Sequence, residues 1–206
     1  NASRMFFGSC GNKADVVRAE LLPRFADFTI FLAAIGEYLT PENVSCLIQL
    51  GDVVLLAVDN HATRKLVNDH CAKLDEVCLI SGGNDGVGQD SNGKNRRGTY
   101  GNVQVYLRHA GQDLTPALIH HHPEIQSPSD CLPTDRSCTD LVATVPQILF
   151  ANLAVASAML DTLWLLLCGA LHYTELAFDI ADGLMRPVGH STYHSSITCR
   201  PQCAGF

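Results

Sequence analysis

Residues 53–71 read VVLLAVDNHATRKLVNDHC, and this stretch decides the fold. Val53 to Val58 is a short, wholly apolar run, the texture of a strand buried in a parallel sheet. It stops at the pair Asp59-Asn60. A helical pattern follows at once, from about His61 to Leu74, in which Arg64, Asn68 and Cys71 share one face. In open α/β sheets ligands sit just beyond the carboxyl ends of the strands, so Asp59 stands where a ligand is expected.

The same rhythm extends outward. Gly11 to Phe25 reads as a helix with Val16, Val17, Leu21 and Leu22 along one side. Phe28 to Ile35 is β-rich and apolar and predicts a strand. Thr40-Pro41-Glu42 opens a helix to about Leu50, with a hydroxyl cap, a proline at the first position and an acid in the first turn. Val77 to Ser81 is another short buried strand. Alternating helices and strands predict an α/β fold: a Rossmann-like, mostly parallel sheet flanked by helices, with a C-terminal antiparallel portion. Gly82 to Gly98, rich in Gly, Asn and Asp, reads as a long mobile loop. Asn102 to Arg108 alternates like a half-exposed strand, and Ile119 to Ser137 reads as an irregular crossover. Two helices follow, broken near Pro146, the second running to about Leu171. Strands Leu176–Ile180 and Leu184–Val188 form a final hairpin turned by Asp182-Gly183. The expected domain spans residues 1–188, with a polar tail over 189–206.

A chain of 206 residues fits one domain, and 47% hydrophobic with 17% charged residues is far from disorder. A net charge of −7 argues against nucleic acid or an anionic membrane as partner. Nine cysteines, an odd number with several inside apolar patterns, read as reduced thiols of a cytoplasmic protein. The apolar run from Ile148 to Leu171 is long enough to span a membrane, but Gln147 precedes it and Asn152 and Asp161 interrupt it. It reads as a core or dimer-interface helix, with no membrane partner. His120, His121 and His122 are consecutive, point in different directions, and read as loop histidines.

The pattern Asp59-Asn60-x-x-x-Arg64-x-x-x-Asn68-x-x-Cys71 resembles the ThiF/MoeB/HesA family, the bacterial relatives of ubiquitin-activating enzymes. Asn1-Ala-Ser-Arg4 and Gly11-Asn-Lys13-Ala14 are similar to two further family segments, with Met5 where the family has glutamine. The likeness covers residues 1–83 well. It continues more loosely to Val188, most similar to the ThiF-type proteins of plasmid-associated PRTRC systems.

The resemblance implies adenylation of the C-terminal carboxylate of a small ubiquitin-like or sulfur-carrier protein, using ATP and Mg²⁺ and releasing pyrophosphate. It implies that Asn1, Arg4, Lys13, Asp59 and Asn60 bind the nucleotide, that Arg4, Lys13 and Asp59 are catalytic, and that Asp59 holds Mg²⁺. The residue types suit two anions that must approach one another. Arg4 offers a planar fork to a phosphate, Lys13 a compact point charge, and Asp59 a hard oxygen for the metal.

Cys138 lies where some family members carry a cysteine that bonds covalently to the carrier, and an inert thiol is the alternative. The pairs Cys131/Cys138 and Cys199/Cys203 lack the family's zinc spacing, so a structural zinc is not expected. Homodimers are typical of the family. Its glycine-rich βαβ segment has no counterpart in these residues, so the chain reads as N-terminally incomplete. The alternative function is a non-catalytic ThiF-fold binding module or scaffold.

Overall fold

Between Leu39 and Thr40 the chain parts into two compact units. A computed structural model describes residues 11–89, 93–135 and 148–189. In the first unit, helix α1 (Lys13–Leu21) is capped by Asn12, whose Oδ1 accepts from the Ala14 N–H at 2.9 Å, and a 3-10 turn, Leu22–Phe25, follows. The strand expected over Phe28–Ile35 does not form, and Phe28 and Phe31 are exposed. A strand needs a neighbouring edge to satisfy its alternating N–H and C=O groups. Among the described residues, α1 and its cap supply single side-chain donors instead: Arg18 Nε to Leu32 O at 2.7 Å and Asn12 Nδ2 to Gly36 O at 3.3 Å.

The second unit opens with a short helix, α2 (Val44–Leu47), much shorter than the helix expected over residues 40–50. Asn43 intervenes: its Oδ1 takes the Thr40 N–H at 2.8 Å and closes residues 40–43 into a separate turn. Strand β1 (Val53–Leu56) then runs parallel to β2 (Val77–Asn84), and helix α3 (His61–Cys71) makes the crossover between them. This β-α-β unit, flanked by helices, carries the expected α/β, Rossmann-like character.

The parallel share of the sheet is smaller than expected. Among the described residues β1–β2 is the one parallel pair, and every later partner runs antiparallel. Residues 82–98 explain the difference. Their described part is not a loop: Gly82 to Asn84 extend β2, and β3 (Val87–Gln89) pairs antiparallel with β4 (Asn95–Arg97). With no helix in that connection, β5 (Tyr100–His109) must return alongside β2 in the opposite direction. The sheet order is β1-β2-β5-β7-β8, and β6 (Gln112–Asp113) pairs with β5. Strands β7 (Glu175–Asp179) and β8 (Leu184–Val188) form the expected hairpin, with Gly183 at φ +61° in its turn. Pro187 is tolerated because β8 is an edge.

Helices cover both faces. Helix α5 (Leu149–Leu167) lays Val155, Ala158 and Met159 over Cys78, Ile80, Val103, Val105, Leu176 and Phe178. Each large apolar side chain buried there contributes about 1.5–3 kcal/mol. Ser81, which alternates with Ile80, points to the opposite face and bonds α3. Helix α4 (Leu118–His121) and a 3-10 turn, Pro123–Ile125, belong to the crossover read as irregular, and the α4 N-terminus is held by Asn68 of α3.

Candidate functional site

Past Leu56 the chain leaves the sheet through Ala57 and Val58 and reaches Asp59, which is exposed. No described group is hydrogen-bonded to its carboxylate. Asn60 turns the chain into α3: its backbone is extended, φ −125° and ψ 147°, and its Oδ1 accepts from the Thr63 N–H at 2.8 Å. That amide is the helix cap. The two preceding donors, the N–H groups of His61 and Ala62, go to the carboxylate of Asp130 at 2.8 Å each.

Arg64 ties the two parallel strands together where they end. Its guanidinium is buried and donates to Ser81 Oγ at 2.5 Å, Val58 O at 2.5 Å and Gly82 O at 2.7 Å. Burial pulls its pKa down, and the charges of Asp59 and Asp130 work against that pull. Gly83 makes the room: a Cβ there would lie 2.8 Å from Arg64 Nη2. Farther along the same helix face, Asn68 Oδ1 takes the Leu118 N–H at 3.0 Å. Cys71 closes the face, its thiol pushed up to about 12 by burial. The shared face of Arg64, Asn68 and Cys71 is therefore architectural.

A polar row that the sequence did not announce crosses the sheet on this side. Ser81 pairs with Gln104 and Gln104 with Glu175, so all three point to the α3 face. Glu175 is buried, accepts from Asn102 Nδ2 at 2.8 Å, and lies 2.8 Å from His122 Nε2. The other His122 nitrogen meets Glu124 at 2.9 Å. The Glu175 contact raises the His122 pKa against the opposing effect of burial, with Glu124 adding to the rise. Burial pushes Glu175 upward, but bonds from His122 and Asn102 outweigh it and leave the carboxyl below its usual range. Two of the three consecutive histidines thus serve the carboxylate: His121 Nδ1 stands 3.7 Å from its second oxygen.

Of the residues singled out in the sequence, Asp59 and Asn60 stand side by side at the tip of β1, backed by Arg64. Lys13 is exposed at the first position of α1, in the unit that ends at Leu39. Asn1, Arg4, Cys138, Cys199 and Cys203 lie outside the described residues. Cys131 is exposed and free. Among the described residues no group of three or more His, Cys, Asp or Glu side chains is arranged around a metal position. A single exposed carboxylate still fits Mg²⁺, which takes one or two protein oxygens and completes its octahedron with phosphate and water. The first α3 amides do not fit a phosphate as they stand, because Asp130 holds them.

The ThiF family model matches residues 5–176. No curated protein matches the chain.

Proposed function

Given that the chain belongs to the ThiF family, we propose that it adenylates the C-terminal carboxylate of a small ubiquitin-like or sulfur-carrier protein. The observation that carries this reading is Asp59, an exposed carboxylate with no hydrogen-bond partner among the described residues, set on a rigid stem at the carboxyl end of a parallel strand. Arg64 provides the rigidity by fixing Val58 O one residue before it. A metal ligand held in this way needs little reorganisation when the metal arrives.

Asp59 is the residue for Mg²⁺, with Asn60 beside it. Lys13 and Arg4 are the cations for the phosphates, and Asn1 contributes to the nucleotide site. Bound Mg–ATP supplies the electrophilic α-phosphorus and the pyrophosphate leaving group. The residues' task is to screen the charge of two anions and to hold them in line. Cys138 is the thiol for any later covalent transfer.

One observation favours a second reading, a ThiF-fold module that docks its partner without adenylating it. Asp130 fills the α3 amides that a phosphate would use. Carrier-dependent ATP–pyrophosphate exchange by the intact protein, with a panel of ubiquitin-like and sulfur-carrier proteins, separates the two. Adenylation predicts exchange that falls by about two orders of magnitude or more in Asp59→Ala. Exchange undiminished by that change removes Asp59 from the site. No exchange with any carrier, alongside retained carrier binding, selects the docking module.

A further inference from the structure

A cleft of about 360 Å³ lies between β4 and the main sheet, and the adenylation reading does not use it. The sheet contributes Asp85, just past β2, Tyr100 at the start of β5 and Asp179 at the end of β7. Strand β4 contributes Arg96 and Arg97, and Lys94 precedes them. Because β1 and β2 are parallel, the cleft stands at the sheet end that also carries Asp59.

Its charged groups are of two kinds. Arg97 is occupied, donating to Asp179 at 3.1 Å and to Asp182 at 3.0 Å. Thr99 and Ala181 take the other Asp179 oxygen. Arg96 and Asp85 are different. The Arg96 charge acts on the Asp85 carboxyl, yet the two stand farther apart than an ion pair. Among the described residues the Arg96 guanidinium makes no hydrogen bond. Asp85 accepts the Tyr100 N–H at 3.1 Å, and a carboxylate has room for further donors. Gly88 faces Arg96 across the β3–β4 pair, and nothing stands within 4 Å of the place a Cβ would take there. A gap bordered by a guanidinium and a carboxylate fits a molecule that carries both opposite charges.

We propose that this cleft binds an α-amino acid with an apolar side chain, its carboxylate on Arg96, its ammonium on Asp85 and its side chain against the Tyr100 ring. A guanidinium offers a carboxylate two parallel donors, and an ammonium brings three donors to Asp85. Burial pushes the Asp85 carboxyl up, against the Tyr100 bond and the Arg96 charge, so an added cation is favoured beside it. Ligands of one sign fit less well: an anion alone meets Asp85, and a cation alone meets Lys94 and Arg96. Tyr100 is 40% exposed and supplies an apolar wall. The volume is at the small end for ligand sites, and a longer peptide holds its two terminal charges too far apart to reach both groups. The proposal goes beyond the adenylation reading and does not depend on it.

Calorimetric titration of the intact protein with L-phenylalanine tests it. The expected result is saturable binding, at least about tenfold tighter than that of 3-phenylpropanoate or 2-phenylethylamine. Each of these is phenylalanine without one of its charged groups. Arg96→Gln and Asp85→Asn are each expected to weaken phenylalanine about tenfold or more, with unchanged circular dichroism. Asp85→Asn should bind 3-phenylpropanoate no worse than the parent protein does. If Asp85→Asn fails to fold, Arg96→Gln, an exposed change, decides alone. No saturation by phenylalanine up to about 10 mM, 3-phenylpropanoate binding as tightly as phenylalanine, or an affinity unchanged in Arg96→Gln each overturns the proposal.

Discussion

The Asp130 carboxylate receives the N–H groups of both His61 and Ala62, so the positive end of α3 is neutralised by an acid 69 residues beyond His61. With Asn60 capping Thr63, three of the first helical donors are satisfied by side chains. The crossover after α4 is thereby fastened to the corner that presents Asp59. Asp130→Ala removes two charge-assisted bonds at a helix terminus and is expected to cost about 1–2 kcal/mol in urea unfolding. Asp130→Asn keeps one acceptor oxygen but no charge, and an intermediate loss is expected. Equal stability of Asp130→Ala and the parent protein would show that the bonds contribute nothing.

Gly83 and Arg64 are coupled through the space between them. A methyl group at residue 83 lies 2.8 Å from Nη2, and the guanidinium has nowhere to retreat while it holds Val58 O and Gly82 O. Gly83→Ala is expected to cost about 1–3 kcal/mol by overpacking, and Arg64→Ala about 2–4 kcal/mol by leaving buried carbonyls without a donor. Once Arg64 is gone the added methyl meets no obstacle. The double variant should therefore fall short of the summed losses by at least about 1 kcal/mol. Additive losses in a urea double-mutant cycle would separate the two residues.

The corner from Val53 to Cys71 was legible because its signals are local. An apolar run, a polar stop and a 3.6-residue period need no information from elsewhere in the chain. The β7–β8 hairpin was legible for the same reason, through Asp182-Gly183. Phe28–Ile35 misled because β-propensity describes a surface that fits a sheet, and the described residues of its unit offer no sheet edge. The direction of β5 depended on whether residues 82–98 could form a helix, and they formed a hairpin. The cluster around Glu175 was out of reach altogether. Asn102 and His122 lie 73 and 53 residues from it, and only strand register brings the three together.

That cluster predicts a pH dependence whose sign follows from its two shifts. His122 has a folded pKa above its ordinary 6.5, so its contribution is full below that value and is lost as pH rises through the folded pKa. Glu175 has a folded pKa below its ordinary 4.5, so its contribution is full above that value and is lost as pH falls through the folded pKa. Between 4.5 and 6.5 both contributions are complete. Urea unfolding should show stability declining from pH 6 toward pH 9, and His122→Gln should flatten that decline. The variant is expected to lose about 2 kcal/mol at pH 6 and less at pH 9, with Asn102 still bonded to Glu175. A parallel decline in both proteins would assign it to another group.

Thiol reactivity distinguishes the buried face of α3 from the surface. Cys71 is fully buried and its thiol is pushed up to about 12, chiefly by burial with the Asp52 charge adding to it. The thiolate is the nucleophile toward alkylating reagents, so a thiol that resists ionisation and is shielded from solvent reacts only after the helix leaves the sheet. Cys46, Cys131 and Cys168 are exposed and free. Iodoacetamide at pH 8, read by peptide mass spectrometry, should modify these three within minutes. Cys71 should react at a rate set by unfolding, rising steeply with urea. Labelling of Cys71 as fast as Cys131 in the absence of denaturant would place α3 away from the sheet, and with it the Arg64 bonds that position Asp59.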